Sequence, residues 1–257
     1  MASESTDVLV IGAGPVGLTL ACELKRHGAS VRIIDRKAEP NPHPNAAVVH
    51  VRALEILSAM GAVDGFLREG YALPGLNVRV FFPMLLNLDG FQHKMRDTLA
   101  EINVAYPKSA LSEDHAGSNG PVAGDRAPDA LLVRMPSRRT EHLFDVLRGP
   151  RWTLLLFAGI EPKPDEIESL EKIGGSLAGR YGKRVEIHLI LCGDPPVPVH
   201  ENWASDVLMD RERQTHDKYG VDTAPCLYLI RPDWQVAFRG GLESAKNLSA
   251  YLERVLG

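Results

Sequence analysis

Near the start of the chain, the string Gly12-Ala13-Gly14-Pro15-Val16-Gly17 is followed by a lone acid, Asp35, that closes the next apolar run. Glycines at this spacing suit a dinucleotide. Gly12 allows a tight turn, Gly14 lets the backbone approach a pyrophosphate, and Gly17 lets a helix pack closely on a strand. A helix that starts here aims its unpaired N–H groups and the positive end of its dipole at phosphate, so no lysine or arginine is needed. Asp35 stands where a carboxylate accepts hydrogen bonds from a ribose hydroxyl. The backbone at Ala13, Pro15 and Val16 completes the expected phosphate cradle.

These residues act together only if a strand, a turn, a helix and a second strand hold them. Asp7-Val8-Leu9-Val10-Ile11 is a short apolar run ended by glycine, as expected of a buried parallel strand. Leu18 to His27 reads as a helix with an apolar face, closed by Gly28. Val31-Arg32-Ile33-Ile34 is a second strand, and Asp35 is its last word. A glycine turn in an unrelated α/β unit would lack this flanking pattern.

The remaining composition removes several classes of function. The chain has 257 residues, enough for one large domain or two modest ones. With 44% hydrophobic and 24% charged residues it is an ordinary globular sequence, which excludes collagen and disorder. A net charge of -4 gives no general attraction to nucleic acid or anionic membranes. Cys22, Cys192 and Cys226 form neither a C-x-x-C pair nor a zinc spacing, and a reducing compartment follows. The acidic first residues lack a secretory n-region, and Val8 to Cys22 is too short to span a bilayer, so a cytoplasmic location is expected. The histidines, His43, His50, His93, His115, His142, His188, His200 and His216 among them, make no H-x-x-x-H or H-E-x-x-H pair; no metal site is expected. No G-x-S-x-G elbow supports a hydrolase.

The string from Asp7 to Ala21, with its proline inside the glycine loop, resembles the opening of FAD-dependent aromatic-ring hydroxylases of the para-hydroxybenzoate hydroxylase type. Val51-Arg52-Ala53-Leu54-Glu55-Ile56-Leu57 is similar to the family's helix after the FAD-binding strand, whose arginine lies near the cofactor. The resemblance implies FAD as cofactor, NAD(P)H as electron donor and hydroxylation of a small aromatic substrate such as a phenol. It adds Arg36 and Arg52 as candidate cofactor contacts to Gly12, Ala13, Gly14, Pro15, Val16, Gly17 and Asp35. The family usually has an arginine near the position of Asn45, a departure that weakens the expected grip on the flavin side.

Beyond the strand expected at Leu76 to Phe82, the pattern runs into a helical segment, Phe91 to Ile102, that resembles the end of the family's catalytic part. The family's central region, with its substrate-binding sheet and second flavin motif, is missing from the pattern, with a seam near Phe82 to Leu86. No catalytic residue is therefore named. Gly124-Asp125 lies in the proline- and glycine-rich stretch Gly120 to Asp129, without a histidine or a following helix, and reads as linker.

From Ala130 onward the elements read as a strand Ala130 to Met135, a helix Arg139 to Arg148, a strand Trp152 to Phe157 and a helix Asp165 to Arg180. A strand Val185 to Cys192, a short helix near Arg211 to Tyr219, strands Cys226 to Arg231 and Gln235 to Arg239, and a helix Glu243 to Leu256 follow. This order is that of a thioredoxin fold. The passage Tyr219 to Ile230 is similar to the thioredoxin segment holding a cis-proline, which makes Pro225 the candidate cis residue. The loop Ala158 to Pro164 holds no sulfur, so thioredoxin chemistry does not follow.

The expected architecture is α/β: an incomplete Rossmann-like FAD-binding unit at 1–82, a connecting helix and linker at 83–128, and a thioredoxin-like domain without C-x-x-C at 129–257. The expected function is that of an FAD-dependent monooxygenase. The alternative is an inactive, truncated remnant with at most weak FAD binding, whose thioredoxin-like part serves structure or homodimer formation.

Overall fold

The computed structural model describes residues 5–37, 39, 49–70, 104–117, 119–193 and 206–257. The seam at Phe82 to Leu86 and the expected elements at Leu76 to Phe82 and Phe91 to Ile102 lie outside these residues. The chain divides into two compact units, Met1–Phe91 and Gln92–Gly257.

In the first unit, strand β1 (Val8–Ile11) leads through the glycine loop to helix α1 (Pro15–Arg26) and strand β2 (Val31–Ile34). The two strands pair in parallel, Val8 with Val31 and Ile11 with Ile34. Proline at the first helical position costs no hydrogen bond, because that N–H would have no partner in the helix. The strand starts are tied side by side: Asp7 Oδ2 accepts from the Ser30 N–H at 2.8 Å and from the Ser30 hydroxyl at 2.7 Å. Helices α2 (Val51–Ala59) and α3 (Val63–Glu69) follow, and Arg26 Nη2 donates to the Ala59 carbonyl at 2.8 Å, which anchors α1 to the end of α2.

The second unit is built on strands β3 (Glu113–Asp114), β4 (Leu131–Met135), β5 (Arg139–His142), β6 (Trp152–Phe157), β7 (Val185–Cys192), β8 (Asp206–Asp210), β9 (Cys226–Ile230) and β10 (Val236–Gly241). They form one sheet in the order β3-β10-β9-β6-β7-β8-β4-β5. Among the described residues its α-helices are α4 (Leu143–Val146), α5 (Pro164–Tyr181), α6 (Gln214–Tyr219) and α7 (Ala245–Leu256). Within the sheet, β6 and β7 are parallel neighbours while β9 and β10 return antiparallel, with α5 between the first pair and α7 after the second. This is the thioredoxin arrangement, read directly from the strand order. Leu154, Leu156, Leu189, Leu227 and Leu229 of the central strands pack with Ile167, Leu170, Leu177, Leu248 and Leu252 of α5 and α7 in the main core.

Three expectations are corrected. Arg139 to Arg148 is not one helix: the chain turns at Pro136 to Arg138, and β5 pairs antiparallel with β4 before the single turn of α4. Arg134 on β4 pairs with Glu141 at 2.5 Å, and the Leu143 N–H reaches the Ala130 carbonyl, so cross-strand partners override the helical spacing of the apolar residues. Strand β8 was not expected at all. It is set by its neighbours, β7 on one side and β4 on the other, which bury Leu208 and Asp210 completely. Among the described residues the cis peptide is Met135-Pro136, so Pro225 is not the cis residue. The segment beside Pro225 is instead held through its backbone, with the Ile160 N–H donating to the Asp222 carbonyl at 3.1 Å.

Residues 106–117 and 119–127 form a strap along β10. Its short strand β3 pairs in parallel with β10, and the buried Arg239 reaches out from β10 to hold it. Arg239 Nε donates to Asp114 Oδ2 at 3.0 Å, and the guanidinium also donates to the carbonyls of Ala116, Asn119 and Gly120. Tyr251 and Arg254 of α7 bind the carbonyls of Leu111 and Ala110.

Candidate functional site

At the end of β1 the Gly12 N–H donates to the Ile34 carbonyl at 2.7 Å, and Gly12 then takes φ +110°, a backbone conformation that side chains resist. The turn carries the chain directly into α1, whose first residue is Pro15. A β-carbon on Gly17 would stand 2.0 Å from the Gly12 carbonyl oxygen, so α1 approaches the turn as closely as a glycine allows. A β-carbon on Gly14 would meet nothing within 4 Å. The helix start is therefore tight on its strand side and open on its outer side. That is the shape a pyrophosphate requires, with first-turn N–H groups that the helix itself cannot pair.

Asp35 is drawn into the same turn. Its Oδ2 accepts the Ala13 N–H at 2.6 Å and its Oδ1 accepts the Lys37 N–H at 2.7 Å. These two N–H groups, Lys37 first, hold the carboxyl below the usual carboxylate range. The structure thus brings Gly12, Ala13, Gly14, Pro15, Val16, Gly17 and Asp35 to one end of the two-stranded sheet. Arg36 follows Asp35 with an exposed side chain, and Val16 is exposed beside Pro15. Arg52 lies elsewhere in the unit, in the first turn of α2, where it pairs with Glu55 at 3.1 Å. Sequence reasoning missed the Ala13 contact of Asp35 and the Arg26 anchor. Neither has a sequence signal, because one uses a backbone N–H that all residues but proline carry and the other a backbone carbonyl that every residue carries.

The second unit shows no comparable chemistry in its thiols. Cys226 is buried, its thiol donates to the Gly240 carbonyl at 3.4 Å, and burial pushes it up to about 11. Desolvation and the nearby Asp210 raise the Cys192 thiol as well. Where thioredoxin chemistry would occur, Gly159 approaches the Thr223 carbonyl so closely that a β-carbon would stand 2.2 Å from its oxygen. Among the described residues no group of three or more His, Cys, Asp and Glu side chains could hold a metal ion, and no helix is long and apolar enough to cross a membrane.

Residues 5–110 match the FAD binding domain family, which gives the class of the glycine-loop unit. The chain is 39% identical over 243 residues to 6-methylpretetramide 4-monooxygenase of Streptomyces rimosus, an alignment that covers 90% of this chain and 38% of the relative. It is 40% identical over 86 residues to rifampicin monooxygenase of Rhodococcus hoagii, covering 33% of this chain and 18% of that enzyme. Residues 5–110 are thus similar to FAD-binding domains, and the chain is similar over part of their length to these monooxygenases. It spans less than two fifths of the length of either relative. In the second unit it is similar to a solved structure, a thiol:disulfide interchange protein DsbE from Chlorobium tepidum, with 20% identity, a TM-score of 0.42, and coverage of 52% of this chain and 96% of that one.

Proposed function

We propose that this chain binds FAD by its ADP end and serves the NAD(P)H-dependent hydroxylation of a small aromatic substrate. The observation that carries the reading is the helix start that is closed at Gly17 and open at Gly14, with Asp35 alongside. The residues fit the cofactor: the first-turn N–H groups of α1 would meet the pyrophosphate, and Asp35 would face the adenosine ribose. Arg36 and Arg52 are proposed as further contacts. When bound, FAD supplies the redox and oxygen chemistry, and the protein's part is to position it and keep water from it. The relatives' names, which give 6-methylpretetramide and rifampicin as what they act on, are consistent with a phenolic or other aromatic substrate. The thioredoxin-like unit we assign to structure or to homodimer formation, since its described thiols are unsuited to exchange chemistry.

The test is the visible spectrum of the purified chain after addition of FAD and gel filtration. A retained flavin band, with NAD(P)H consumption stimulated by a phenolic substrate, is the expected result. Loss of all flavin on the column rules the reading out.

A further inference from the structure

We propose that Asp35 is a positioning residue that sets the shape of the phosphate-binding turn, in addition to any contact it makes with a ribose. The inference rests on the dinucleotide reading of the glycine loop. Its basis is the double contact: one carboxylate oxygen holds the Ala13 N–H at 2.6 Å and the other holds the Lys37 N–H at 2.7 Å. Ala13 lies between Gly12 and Gly14, so the carboxylate grips the turn at its centre, while Lys37 fixes the carboxylate from the far side.

The consequence is chemical as well as geometric. The Ala13 N–H is already spent on Asp35, so the phosphate must be met by the N–H groups further on, at the start of α1. Pro15 offers none, which leaves the turn little freedom in how it presents the rest. A carboxylate is needed for this grip. Asparagine has one acceptor oxygen and one donor group, so in either orientation one of the two backbone N–H groups would face a donor. Yet asparagine could still hydrogen-bond a ribose hydroxyl. The two roles therefore separate in one variant. The carboxyl's low position in its titration range agrees with the grip, because both bonds favour the ionised form.

The experiment compares the full chain with Asp35→Asn, measuring the binding of ADP, 2′,3′-dideoxy-ADP and inorganic pyrophosphate by calorimetry, with amide hydrogen exchange at Ala13 and Lys37. The expected result is a loss of about tenfold in affinity for all three probes, since a hydrogen bond to a charged group is at stake, together with faster exchange at both amides. If only ADP weakens and the exchange at Ala13 is unchanged, the positioning role is overturned and the dinucleotide reading survives. If the unmodified chain binds none of the probes, the dinucleotide reading falls, and the exchange data alone decide the positioning role. Should the variant not fold, the unmodified chain suffices: the Ala13 and Lys37 amide resonances are expected to shift with the Asp35 carboxyl as acid is added. Titration of the carboxyl without movement of either amide overturns the proposal.

Discussion

At the residue scale, the site depends on the absence of atoms as much as on their presence. Gly17→Ala places a β-carbon where the Gly12 carbonyl already sits. We expect it to cost the unit about 1–3 kcal/mol, as overpacking does, and to abolish FAD retention on gel filtration; a variant that keeps the flavin would show that the close approach is dispensable. Thiol reactivity should also sort by burial. At neutral pH an alkylating reagent should label the exposed Cys22 readily and leave Cys226 unmodified in the folded chain, since its thiol is buried and titrates near 11. Peptide mass mapping with and without denaturant checks this. The glycines and Asp35 were legible in the sequence because a turn without side chains admits few residue types. The partner of Asp35 was not legible, because the N–H that it binds carries no mark of residue identity.

At the element scale, the strap that Arg239 holds is the feature most open to test. Arg239 is buried and binds one carboxylate and three carbonyls of the strap. Arg239→Ala removes a donor from each of those acceptors and is expected to destabilise the second unit by about 1–3 kcal/mol, the cost of leaving partly buried polar groups unsatisfied. Urea unfolding followed by tryptophan fluorescence measures it. A change below 1 kcal/mol, about the worth of a surface pair, would mean that water replaces the guanidinium freely. Most strands and helices of this unit were readable from their periodicity, notably β6 and β7, whose limits match the apolar runs. The misread helix at 139–148 and the unexpected β8 share a cause. Both are short, and their state is decided by sheet pairing that the local pattern does not show, with the hairpin partner Leu131–Met135 for β5 and with Val185–Cys192 and Leu131–Met135 for β8.

At the scale of the whole molecule, the two units differ in how completely their described residues bury apolar side chains. The second has a continuous core of fully buried leucines. In the first, Leu9, Ile11 and Ile34 of the two-stranded sheet and Leu18 and Leu20 of α1 are exposed, and so small a parallel sheet yields little stability by itself. Scanning calorimetry should therefore show two transitions, the lower one belonging to the first unit. Only the lower one should rise with FAD, because a ligand stabilises the part that binds it. One transition that ignores FAD would contradict both the division and the binding site. The sequence match and the physical division also fall in different places. The FAD-binding family match runs to residue 110, yet the Tyr106 N–H donates to the Gly124 carbonyl of the strap and the Ala110 carbonyl accepts from Arg254 of α7. A genetic crossover at the family boundary would cut that strap in two. The two halves of this gene cannot be exchanged as independent cassettes at that point, and a shuffled descendant that stays folded must carry the strap along with the thioredoxin-like half.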